Sequence, residues 1–80
     1  MLRIEGNGYT LELVRMKGHC KWAVKATVSQ EVRYRPNYYK ANAEMDLMYW
    51  NRPPFKSASD FMRDFHHNFY SPNDISEKEA

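Results

Sequence analysis

The side chains with the most chemistry to offer are the three histidines and the single cysteine, arranged as His19-Cys20 and His66-His67. Four such donors suggest zinc, but their spacing opposes it. Neighbours on a helix diverge by about 100°, so His66 and His67 cannot readily share one ion, and the spaced ligand pairs of structural zinc sites are missing. His66 is expected to flank a core stripe and His67 to face water. Cys20 has His19 beside it but no third group to orient that base, so the sequence does not build a thiolate nucleophile. The acid pairs Asp60/Asp64 and Glu44/Asp46 read as exposed charges, the first at a helix start where carboxylates are favourable. No glycine-rich phosphate loop, G-x-S-x-G turn or H-E-x-x-H occurs, so the expectation is no enzyme, no metal, no cofactor and no small-molecule substrate.

Arginine and tyrosine point elsewhere. Arg33, Tyr34, Arg35, Tyr38, Tyr39 and Lys40 interleave cations with phenols, a mixture suited to an acidic protein surface or a phosphate backbone. Alternation along the chain is what positions them. Trp22, Val24, Ala26, Val28, Gln30, Val32 and Tyr34 occupy even positions between Lys21, Ala23, Lys25, Thr27, Ser29, Glu31, Arg33 and Arg35 at odd ones, which predicts one long strand over 21–35. After Arg35-Pro36-Asn37-Tyr38 the apolar positions become odd, from Tyr39 through Ala41, Ala43, Met45 and Leu47 to Tyr49, which predicts a returning strand over 38–51. Closing 34 opposite 39 sets Val28 against Met45, Ala26 against Leu47 and Val24 against Tyr49.

The same parity test works upstream. A loop over 17–20 sets Leu13 by Val24, Leu11 by Ala26 and Tyr9 by Val28, and the Asn7-Gly8 turn signal sets Ile4 by Leu11 and Arg3 by Glu12. Pro53-Pro54 ends the sheet. Phe61, Met62, Phe65 and Phe69 then recur at helical spacing, which predicts a helix over about 58–70. The expected fold class is α+β: a four-stranded antiparallel meander, a protruding long hairpin (21–35 and 38–51) and one C-terminal helix on one sheet face. Eighty residues hold one such domain, over 1–70, and residues 71–80 read as a mobile acidic tail. One cysteine excludes an internal disulfide, and no apolar run approaches the ~18 residues of a membrane span, so the setting is expected to be cytoplasmic and membrane-free.

Two surfaces follow from this arrangement. Residues 29–44 would project up to ~20 Å beyond the body at 3.3 Å per residue, too far for one helix to cover as well. A bulge near Gln30 that curls the arm back is the competing arrangement. The second surface lies on the helix-free face, where Val14, Ala23 and Trp50 align with Met16 and Met48 close by.

In order of elements, with Trp22-Ala23-Val24-Lys25-Ala26 as a middle strand and the stretch from Phe55 to Phe61 entering the helix, the chain is similar to the small sheet-plus-helix DNA-binding domains of tyrosine recombinases and plant AP2 proteins. The resemblance implies DNA on the helix-free face. Glu12, Glu31, Glu44 and Asp46, expected on that face, would repel phosphates. The leading expectation is therefore a protein-binding module that uses Arg33, Tyr34, Arg35, Tyr38, Tyr39, Lys40, Met48 and Trp50 to dimerise or to occupy a site on a larger complex. A phage or mobile-element accessory inhibitor of a host machine is the expected setting. The alternative is nucleic-acid binding through the arm. Charge supports both, because residues 1–40 hold eight basic against three acidic side chains while 41–80 hold four against seven.

Overall fold

A computed structural model describes residues 3–6, 8–18, 21–50, 58–71 and 77, with the backbone alone at 58–60 and 64. Strands β1 (Arg3–Glu5), β2 (Tyr9–Arg15), β3 (Trp22–Val28) and β4 (Glu31–Asn37) form one antiparallel sheet in sequence order, followed by helices α1 (Lys40–Trp50) and α2 (Ala58–Asn68). The α+β class and the four-stranded meander with α2 packed on it are as expected. So are the first two registers, in which Arg3 pairs with Glu12, Ile4 with Leu11, Tyr9 with Val28 and Leu13 with Val24. Gly8 takes the positive φ, 89°, that the first turn demands.

The long hairpin is a correction. The strand expected over 21–35 breaks at Ser29-Gln30, a two-residue turn whose first residue has φ 58°, the requirement of a type II′ connection. Val28 therefore pairs with Glu31 and Ala26 with Arg33. Partners across this turn differ in parity, so the even residues Val32 and Tyr34 pass to the opposite face from Val24, Ala26 and Val28. The second half of the expected arm, 38–51, is α1 instead of a strand. Its Ala, Glu, Met and Leu are good helix formers, it contains no Val, Ile or Thr, and Ala43, Leu47 and Trp50 fall at the i, i+4, i+7 spacing of one buried helix face. No arm projects: the radius of gyration is 11.6 Å, the value of a compact chain of about this length.

Both helices cover the same face of the sheet. The core joins Tyr9, Leu11, Leu13, Val24, Ala26 and Val28 to Ala43, Leu47 and Trp50 of α1 and to Phe61, Phe65 and Phe69, the last just past α2. Tyr9 stacks on Phe61 with ring centroids 4.7 Å apart and planes 3° from parallel, and Trp50 meets Phe69 edge-on at 5.3 Å. Trp50 is thus a core residue of α1, not part of a patch on the helix-free face.

That other face has a smaller apolar cluster of Met16, Ala23 and Tyr34, with Val14 and Val32 beside it. Tyr70 exchanges backbone hydrogen bonds with Tyr34 (2.6 and 2.9 Å), and Glu77 forms a bridge with Met16. Glu77 belongs to the stretch expected to be a mobile tail, yet its carboxylate accepts from the Tyr34 hydroxyl at 2.5 Å and lies 3.0 Å from the Lys25 ammonium. The remainder of that tail, apart from Ser71, lies outside the described residues. So do His19, Cys20 and the Pro53-Pro54 breaker.

Candidate protein-binding face

The edge strand β4 shows what becomes of the basic residues singled out by type. Parity turns Arg33 and Arg35 toward the helices, where each is held from several sides. The Arg33 Nε meets Glu31 at 2.8 Å, its Nη1 donates to the Phe69 carbonyl at 3.3 Å, and its guanidinium sits 5.4 Å from the Phe65 ring centroid. The Arg35 Nε meets Asp46 of α1 at 2.7 Å, its Nη1 donates to the Asn68 carbonyl at 3.2 Å, and Trp50 lies 5.8 Å away. Carbonyls that end a helix carry partial negative charge and lack intrahelical donors, so Arg35 caps α2 at Asn68 and clamps α1 to the sheet through Asp46, while Arg33 ties the residue just past α2 to the strand. Their roles are internal.

Tyr34 is also internal. Burial pushes its hydroxyl above the usual tyrosine range, and the hydrogen bond to the Glu77 carboxylate adds to the effect. Burial alone would raise Glu77 too, but the Tyr34 hydroxyl and the Lys25 ammonium outweigh it and hold the carboxyl below its ordinary range. Glu31 is likewise held low, chiefly by its hydrogen bond from Arg33, with His66 contributing from 3.5 Å. Among the described residues no group of three or more His, Cys, Asp or Glu side chains could hold a metal ion.

What remains outward is the far side of α1. Its buried residues Ala43, Leu47 and Trp50 have their counterpart on the opposite side in Ala41, Met45, Met48 and Tyr49, at the same helical spacing. Met45 and Met48 are 69% and 71% exposed. Tyr38 and Tyr39, just before the helix, are exposed as well, with ring centroids 5.7 Å apart. Beside this stripe runs an open groove of about 350 Å³ lined by Arg35, Asn37, Asn42, Met45, Asp46 and Tyr49. The Arg35–Asp46 pair and the Asn37 amide, which donates to Asp46 at 3.1 Å, give it a polar lining.

Of the eight residues expected to bind a partner, the structure leaves Tyr38, Tyr39, Lys40 and Met48 exposed, withdraws Tyr34 and Trp50 into the cores, and commits Arg33 and Arg35 to the helix clamp. Lys40 turns away from the stripe, its Nζ 5.3 Å from the Trp22 ring centroid. Met45 and Tyr49 were missed as surface residues because the alternating pattern assigned them to the buried side of a strand. The absence of β-branched residues from 38–51 was the signal that could have placed them. The acids expected to repel DNA from the helix-free face are also redistributed, since Glu44 and Asp46 lie on α1 and Glu31 faces the helices. Among the described residues no helix is long and apolar enough to cross a membrane. The chain matches no protein-family model, and no curated protein or solved structure matches it.

Proposed function

We propose that the chain is a non-enzymatic protein-binding module whose α1 inserts its outward stripe, Met45, Met48 and Tyr49 with Tyr38 and Tyr39 ahead of it, into a groove on a larger partner. One observation carries this reading: α1 is apolar on two opposite sides, and the domain's own core accounts for only one of them. Contiguous exposed apolar surface is characteristic of contact sites, and methionine, flexible and polarisable, suits a surface that must fit another molecule. A groove-bound helix also fits the dimensions. Eleven residues span about 16 Å, too little surface for two flat copies to bury the roughly 800 Å² per partner of a stable interface, whereas a groove encloses the helix from its sides as well. The module then acts by occupancy, as an accessory inhibitor of a host machine would.

The test is site-specific photo-crosslinking in cells of the protein's source. A photoreactive phenylalanine analogue at position 48 should give one discrete adduct of higher mass, lost when Met45 is changed to Ser, and none when the analogue stands at exposed Arg63 on α2. Equal adducts at 48 and 63, none at either, or an adduct of twice the chain's mass would contradict a heterologous groove partner.

A further inference from the structure

The described cations of the sheet divide into two groups. Arg3 is paired with Glu5 and Glu12, Lys25 with Glu77, Arg33 with Glu31 and Arg35 with Asp46. Arg15, Lys17 and Lys21, together with Lys40 at the start of α1, have no acidic partner among the described residues, and all four gather at one end of the sheet. Arg15 ends β2 directly opposite Trp22, which opens β3, and the Met16 amide donates to the Lys21 carbonyl at 2.8 Å. The Arg15 guanidinium lies 5.5 Å from the Trp22 ring centroid and the Lys40 ammonium 5.3 Å, so the half-buried indole holds two long cationic side chains in place by cation–π attraction. Lys40 also stands in the first turn of α1, which contains no acid to neutralise the positive end of the helix dipole.

From this segregation we infer that the Trp22 end of the domain binds the phosphate backbone of a nucleic acid without reading its sequence. Like charges brought together with no internal anion form a polyanion site, and phosphates recur along a duplex at one charge per about 1.7 Å. An acidic protein fits less well. Its usual apolar anchors would find the Trp22 ring already covered by cations, and the apolar stripe is out of line, because Lys40 stands about 140° around the helix from Met45. The site is thus separate from the protein-binding face. It also differs from phosphate binding through Arg33 and Arg35, which are committed internally.

Fluorescence anisotropy with a labelled 20-base-pair DNA duplex, a 20-nucleotide single strand and poly-glutamate as the protein-like polyanion tests the inference on the full chain between 20 and 200 mM salt. Four phosphate contacts give a log–log salt slope of about −3.6 on the duplex. Arg15→Glu with Lys40→Glu, and separately Lys17→Glu with Lys21→Glu, should each weaken binding more than tenfold and flatten that slope. Arg63→Glu, and Met45→Ser with Met48→Ser, should leave it unchanged, which separates this site from the α1 face. No binding at 20 mM salt, equal loss with Arg63→Glu, or poly-glutamate bound as tightly as either DNA would overturn the inference. So would a charge reversal that leaves affinity intact in a chain shown by circular dichroism to be folded.

Discussion

At Gly6 the absence of a side chain is a packing requirement. A Cβ there would overlap the Tyr9 ring, and that ring cannot swing aside because it is stacked on Phe61. Gly6→Ala should therefore destabilise the chain by about 1–3 kcal/mol, measured by urea denaturation, as overpacking a filled core does. Arg35 shows the other side of residue-level logic: a charge chosen for a partner turns out to serve the fold. Changing Asp46 to Asn should cost about 1 kcal/mol, and a cycle with Arg35→Gln should show coupling between the two, because they share one short hydrogen-bonded contact. Residue type alone indicated the cationic and aromatic chemistry of 33–40, but not its destination. Whether an arginine meets solvent or a helix terminus depends on strand parity, and that depends on a single turn.

The elements that were legible are those whose periodicity and punctuation agree. Leu11 against Ala26 and Leu13 against Val24 follow from alternation with a polar loop between, and Phe61, Phe65 and Phe69 recur at unmistakable helical spacing. Ser29-Gln30 was not legible, since it carries none of the Asn-Gly or Gly-X chemistry of tight hairpins and apolar residues resume at the even positions beyond it, Val32 and Tyr34. In α1, the outward residues Ala41, Met45 and Tyr49 mingle with the inward Ala43 and Leu47 to imitate period two; a helix apolar on both sides has no single stripe to betray it. Past α2, Glu77 is held to the sheet by the Tyr34 hydroxyl and the Lys25 ammonium. Its carboxyl is held below the ordinary range, so its contribution is present above that range and lost as pH falls through the folded value. Glu77→Gln should remove about 1 kcal/mol at pH 7, the loss shrinking toward zero in acid, as read from urea midpoints between pH 7 and 3. Tyr34 has the opposite sign. Its raised hydroxyl contributes below the unfolded value near 10 and loses that contribution at higher pH, so Tyr34→Phe should flatten the alkaline fall in stability.

For the whole molecule, 80 residues bury only roughly 60% of their unfolded surface, and apolar side chains on both sheet faces are nonetheless buried, on one under two helices and on the other in the small cluster of Met16, Ala23 and Tyr34, whose hydroxyl holds Glu77. Against that economy the outward methionines of α1 stand apart. If they serve a partner and not the core, Met45→Ser with Met48→Ser should move the urea midpoint little, a change within about 0.5 kcal/mol, where truncating a core methionine costs about 2–5 kcal/mol. The most direct test is methionine oxidation by dilute peroxide, quantified by mass spectrometry at each residue in the purified chain and in intact source cells. The purified chain should oxidise at Met45 and Met48 quickly and at buried Met16 slowly, and in cells Met45 and Met48 should become slow while Met16 is unchanged. Met45 and Met48 as slow as Met16 in the purified chain, or equally fast in both settings, would contradict the account.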